Sequence, residues 1–202
     1  GGAPVAEKIA AIMGTGSVSM DNVKKVAHVH CQGDCDKAKQ QAHYSGIADC
    51  NDLVVVPGGT EKACPYSCCG YGSCVKACAF DAIHVINGVA VVDKEKCTAC
   101  GACVKACPKS LIALVPYKKK HIVSCKNHLK GKQVKDACSI GCIACGMCEK
   151  NCPFDAIHVI DDLAVMNEKC KDCGICAQKC PTSAITGKRP KKEETKVAME
   201  KA

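Results

Sequence analysis

Three cysteine runs in this chain share one spacing, C-x2-C-x2-C-x3-C-P. Cys97, Cys100, Cys103 and Cys107 close on Pro108; Cys142, Cys145, Cys148 and Cys152 close on Pro153; Cys170, Cys173, Cys176 and Cys180 close on Pro181. Three thiols on one tight loop, with a fourth four residues on, suit the corners of a cubane iron–sulfur cluster. A chain committed to that spacing three times must fold around inorganic clusters, and the chemistry it points to is electron transfer.

Composition narrows the fold further. Of 202 residues, 22 are cysteine, while aromatic residues make up 3% and tryptophan is absent. A large aromatic core is therefore not available, and small modules held by metal–thiolate bonds are expected instead. Disulfide scaffolds belong to short secreted chains, and no signal-like segment opens this one. Zinc modules use two separated C-x2-C pairs rather than triple runs. Reduced thiolates imply a reducing, cytoplasmic compartment. No apolar run approaches the length of a membrane span; short ones such as Leu53-Val54-Val55-Val56 read as strands. The formal charge of +8 counts every cysteine as neutral. Four oxidised cubanes would bring about −8, so the lysines read as compensation rather than as a nucleic-acid footprint.

The chain is internally duplicated. Phe80-Asp81-Ala82-Ile83-His84-Val85-Ile86 recurs identically as Phe154 to Ile160. Upstream, Ala63-Cys64-x3-Cys68-x5-Cys74-x3-Cys78 aligns with Ala137-Cys138-x3-Cys142-x5-Cys148-x3-Cys152, and the strand ending at Cys31 aligns with the one ending at Cys125. Each repeat reads as a strand, a Lys-rich helix and then a cluster module. The expected class is α+β, with two tandem modules, each preceded by a short strand–helix segment. Its divisions are an N-terminal helix and linker (1–25), a strand–helix segment (26–63), a first module (64–115), a connector (116–137), a second module (138–187) and a charged disordered tail (188–202). Asn87-Gly88 is a strong hairpin signal within Ile83 to Val92, and Asp161-Asp162 a weaker one within Ile157 to Met166. Helices are expected over Pro4 to Met13, over Asp34 to Ala42, and through the last two cysteines of each run.

In the two-cluster ferredoxin arrangement the fourth cysteine of each run binds the other run's cluster. Four [4Fe-4S] clusters are then expected. Cys142, Cys145 and Cys148 pair with Cys180; Cys170, Cys173 and Cys176 pair with Cys152; Cys97, Cys100 and Cys103 pair with Cys78. The fourth uses Cys107 with three ligands from the irregular run, which has Tyr71 where the second module has Cys145. Cys68 and Cys74 supply two, and Cys64 is the natural third, with Cys69 as the alternative. Gly101, Gly146 and Gly174 each follow the second cysteine of a run, where a loop wrapping a cube needs backbone freedom. Cys31, Cys35 and Cys50 are candidates for three ligands of a fifth cluster; the competing reading is buried structural thiols. Cys138 precedes a complete motif and needs no ligand role, and His84 and His158 read as strand residues. There is no dinucleotide loop, P-loop or nucleophile–base pair, so no catalytic residue is expected in this chain.

These features together resemble the B subunit of the Rnf-type ion-translocating ferredoxin:NAD oxidoreductase. The resemblance spans Val5 to Gly14, the Val-x-Cys strand at Cys31, the Cys35 and Cys50 segment ending in Pro57-Gly58-Gly59, and above all the Cys64 to Cys78 run followed by Phe80-Asp81-Ala82-Ile83. It implies a non-catalytic relay subunit of a translocase that takes electrons from reduced ferredoxin into a membrane complex. It further implies partner subunits, an N-terminal membrane helix and a four-Cys domain preceding the segment present here, and a peripheral place on the cytoplasmic side of the membrane. The alternative is a polyferredoxin input subunit of another oxidoreductase, such as a hydrogenase or a glutamate-synthase-like assembly. A nucleic-acid-binding role is disfavoured by the lack of aromatic stacking residues.

Overall fold

A computed structural model describes residues 11–12 and 23–187. The helix expected over Pro4 to Met13, apart from Ala11 and Ile12, and the tail beyond residue 187 lie outside the described residues.

The elements are short, as a chain with so few large apolar side chains requires. In order they are β1 (Lys25–Val29), α1 (Cys50–Val54), α2 (Ser73–Lys76), β2 (Ile83–Ile86), β3 (Val89–Val92), α3 (Ala102–Ala106), β4 (Ile112–Pro116), α4 (Gly131–Ala137), α5 (Met147–Lys150), β5 (Ile157–Ile160), β6 (Leu163–Met166) and α6 (Ile175–Lys179). They form three two-stranded antiparallel sheets, β1–β4, β2–β3 and β5–β6. Asn87 and Gly88 both take positive φ (48° and 75°), as a type I′ turn demands, and Asp161 and Asp162 do the same at 49° and 60°.

Strand β1 runs against β4 from Lys25↔Pro116 to Val29↔Ile112, so the strand ahead of the first module completes that module's sheet. The second repeat keeps the same pairing in reduced form. Val123 bridges Ile185, with Ser124 N–H on the Ala184 carbonyl (2.8 Å) and Thr186 N–H on the Ile122 carbonyl (2.9 Å). Each module has its own small core. In the first, Ala27, Val29, Ile83, Val89, Leu111 and Ile112 meet Cys68, Cys74 and Cys103. In the second, Val123, Ile157, Leu163, Ala177 and Ile185 meet Cys142, Cys148 and Cys176. Burying a side chain such as Ile83 contributes about 2–3 kcal/mol, too little from so few residues to hold a module unaided.

Two local expectations are corrected. Asp34 to Ala42 is not a helix. The Asp34 carboxylate accepts the Asp36 and Lys37 amides in a tight turn, and Ala38 and Gln40 then bridge Cys138 and Lys62. Leu53 to Val56 is not a strand. Asp49 caps Asn51 N–H at 2.9 Å and opens α1, whose Leu53 is buried beside Cys50 and Cys69. The cap outweighs the β preference of three successive valines.

Candidate iron–sulfur sites

The cysteine loops share one backbone shape. Between the first and second cysteine of each regular run, Ala99, Ala144 and Asp172 take φ of 58°, 53° and 55°; after the second, Gly101, Gly146 and Gly174 take 80°, 69° and 81°. The glycines are the N-caps of α3, α5 and α6. The irregular run has the same curl at Gly70 and Gly72, with φ of 82° and 74°. A left-handed alanine costs about 1–2 kcal/mol, so a shape repeated at this cost is imposed by what the loop must surround.

The thiols stand around cavities. Cys170, Cys173 and Cys176 share one with Cys152. Cys142, Cys145 and Cys148 share another with Cys180. Each thus takes three thiols from its own run and one from the other. Cys103 has Cys97, Cys100 and Cys78 as charged neighbours, which add to burial in pushing its thiol up. Amides point at several of these sulfurs. Ala27 N–H donates to Cys97 Sγ (3.3 Å), Leu111 N–H to Cys107 Sγ (3.4 Å) and Ala156 N–H to Cys152 Sγ (3.4 Å). Such donors favour thiolates and tune a cluster's potential. Among the described residues, no three His, Cys, Asp or Glu side chains converge closely enough for a single metal ion. Thiols spaced around a cavity, with amides aimed at sulfur, fit a cubane rather than one ion.

The irregular run departs from expectation. Its cavity is lined by Cys68, Cys74 and Cys107 together with Cys50 and Cys69; Cys64 is not among them. The missing position is filled by Tyr71, whose hydroxyl donates to Glu61 (3.1 Å). Cys50 arrives from α1, with its N–H on the Ser73 hydroxyl at 2.9 Å and that hydroxyl on Asp49 at 3.0 Å. A hydrogen bond between the Cys50 and Cys69 thiols holds Cys50 well below the usual thiol range and raises Cys69. Cys69 also points at the Gly59 carbonyl. Burial pushes Cys74 up to about 12, with Cys68, Cys50 and Cys107 as its charged neighbours.

Cys64 lies elsewhere. It lines a cavity with Cys31, Cys125 and Cys138, between the two repeats. A turn from the Cys64 carbonyl to Ser67 N–H leads the chain away, and the fully buried Asn127 donates to Cys64 Sγ at 3.2 Å. Burial above all, with Cys125, Cys31 and Cys138 nearby, pushes the Cys64 thiol up to about 12. The trio Cys31, Cys35 and Cys50 is therefore not one site. Cys31 faces the seam and Cys50 the irregular cavity, while Cys35 is exposed on the Gly88 turn. Beside the seam, Lys62 is 5% exposed and donates to the carbonyls of Gly33 (2.8 Å), Cys68 (3.2 Å) and Gly88 (2.7 Å). No carboxylate pairs with it among the described residues. Three acceptors match the three donors of an ammonium.

A 4Fe-4S binding domain model matches residues 90–112, and a 4Fe-4S dicluster domain model matches residues 141–185. The chain is 45% identical, over 93% of its length, to the B subunit of the Na(+)-translocating ferredoxin:NAD(+) oxidoreductase complex of Acetobacterium woodii. It is 48% identical over 83% of its length to the proton-translocating counterpart of Clostridium ljungdahlii. Over most of its length the chain is thus similar to B subunits of such complexes. A more distant relative is the B subunit of the ion-translocating oxidoreductase complex of Methanosarcina acetivorans, 39% identical over 84% of this chain. The chain spans 56%, 58% and 64% of these three relatives. Among the described residues no helix is long and apolar enough to cross a membrane.

Proposed function

We infer that this chain is an electron-relay segment of an ion-translocating ferredoxin:NAD oxidoreductase complex, with no active site of its own. The observation that carries this reading is the pair of crossed four-thiol cavities in the second module, in a chain whose relatives bear that complex's name. Four clusters of ferredoxin type are assigned. Their ligands are Cys78, Cys97, Cys100 and Cys103; Cys142, Cys145, Cys148 and Cys180; Cys152, Cys170, Cys173 and Cys176; and Cys68, Cys74 and Cys107 with Cys50. Cys50 is preferred to Cys69 because it is a charged neighbour of Cys74, whereas Cys69 points at a carbonyl. Cubane clusters bound there supply one-electron carriers. The residues present each cavity with thiols and amide donors, close it with apolar side chains, and fix the two sites of a module to one another by exchanging a ligand.

Reduced ferredoxin is the proposed donor. Other members of the complex are the proposed acceptors, on the cytoplasmic side of the membrane. The polyferredoxin alternative is not favoured, since all three relatives are B subunits of ion-translocating complexes.

Mixing the anaerobically loaded chain with reduced ferredoxin in a stopped-flow spectrometer tests the reading. The visible absorbance of the chain should bleach on the stopped-flow timescale. Cys100→Ala or Cys173→Ala should each lose about four iron per chain and part of that bleach. A wild-type chain that ferredoxin does not reduce would refute the relay. For the irregular site, Cys50→Ser should lose about four iron and Cys69→Ser none; the reverse pattern assigns Cys69.

A further inference from the structure

Four cysteines outside the ferredoxin-type cavities occupy equivalent places in the two repeats. Cys31 corresponds to Cys125, and Cys64 to Cys138. The fold brings all four to one cavity, each repeat giving two. The equivalence extends to their hydrogen bonds. Cys68 N–H donates to Cys31 Sγ at 3.5 Å, and the corresponding Cys142 N–H donates to Cys125 Sγ at 3.4 Å. The seam is clamped by two histidines of the first repeat, which reach the second. His28 Nε2 meets Ser124 Oγ and His30 Nδ1 meets the Val123 carbonyl, both at 2.7 Å.

Like the three ferredoxin-type cavities, this cavity gathers thiols from separate segments of the chain around one space. It also holds an orphan. Gln32 is among its lining residues, and the buried Gln32 Nε2 has no hydrogen-bond partner among the described residues. A buried amide without an acceptor is costly, and inorganic sulfide is an acceptor of the right kind. The buried Lys62 next to the cavity supplies the positive charge that a dianionic cluster calls for.

We propose that Cys31, Cys64, Cys125 and Cys138 bind a fifth [4Fe-4S] cluster at the seam between the repeats. This rests on reading the neighbouring cavities as cubane sites, and its place in the fold gives it a role. Cys68 and Cys142 each aim an amide at a seam thiolate and a side chain into the next cavity. The seam cluster is therefore one residue removed from a cluster site in each module. It is the carrier through which a single electron passes from one module to the other, with no bond made or broken and no proton moved.

The test is iron, acid-labile sulfide and zinc per chain after anaerobic loading, read beside an EPR-monitored redox titration. The wild-type chain should hold about 20 iron and 20 sulfide, and the Cys64→Ser/Cys138→Ser double variant about 16 of each, with Cys35→Ser unchanged. Asn127→Leu keeps every thiol and guards against misfolding in the double variant. It should retain full iron and move the midpoint of one cluster alone to lower potential, since it removes a donor to Cys64 Sγ. About 16 iron in both wild type and double variant, or zinc bound at the seam, overturns the fifth cluster and leaves the relay standing. Zinc in place of iron throughout overturns both.

Discussion

Lys62→Met is the most informative single perturbation. The ammonium is 5% exposed, held by three carbonyls, and lies between the irregular cavity and the seam, where it is a charged neighbour of both Cys68 and Cys138. A unit charge about 8 Å from a redox centre, in an effective dielectric of about 20, changes the energy of adding one electron by about 2 kcal/mol, equivalent to about 90 mV for a one-electron couple. Lys62→Met should therefore lower the midpoints of the two flanking clusters by several tens of millivolts and leave the distant ones in place. An EPR-monitored redox titration of the loaded chain reads this directly. Lys62→Arg keeps the charge and should stay near wild type, which separates electrostatics from lost packing. Lys76→Met removes a lysine that is 63% exposed and paired with Asp49, so its effect should be screened to about 20 mV or less. Flanking midpoints that do not move in Lys62→Met, or that move equally in Lys76→Met, would refute the assignment of Lys62 as the counter-charge.

Other outcomes follow from the same geometry. Burial, then His30 and Lys94, lowers the His28 pKa from 6.5 to about 4. The unfolded chain then binds the extra proton as pH falls through that window, so stability should drop by up to about 3 kcal/mol between neutral pH and pH 4. His28→Gln should flatten that slope in denaturant titrations. Ile83 and Ile157 hold equivalent buried places at 1% and 2% exposure, so Ile83→Ala and Ile157→Ala should each cost about 2–5 kcal/mol and lower the melting temperature comparably. Gly101→Ala enters open space and should cost only about 1–2 kcal/mol of left-handed strain. Gly174→Ala would bring its Cβ to 2.6 Å from the His121 ring and should melt markedly lower. Stripping iron with a chelator should collapse the near-ultraviolet and visible dichroism together, because the small cores cannot hold the modules unaided.

What could be read from the sequence depended on how local the signal was. Asn87-Gly88 set its hairpin because two adjacent residues fix the turn, and the three regular runs declared their loops because three ligands lie within seven residues. Asp34 to Ala42 misled because its polar composition suits a helix, whereas an Asp34-capped turn and bridges to distant residues decide its path. The valines at 54–56 misled because propensity was read without the Asp49 cap. Cys64 misled most. Its spacing to Cys68 suggested one loop and one cluster, but spacing carries no information about which side of a loop a thiol takes when the partners come from residues 31, 125 and 138. The repeat alignment already held the missing signal. Cys31 and Cys64 have counterparts at Cys125 and Cys138, and equivalent cysteines in two copies of one repeat point to a shared site.

The seam is divided evenly, two thiols from each copy, and neither copy can complete it alone. A free-standing single repeat could close such a site only by meeting a second molecule, so its loading would depend on concentration. Joining the two copies in one chain replaces that encounter with a fixed, high local concentration of the second half. Metal loading at the seam then becomes a report on whether both halves have folded. A chain with one damaged repeat would forfeit the crossing between modules as well as its own clusters.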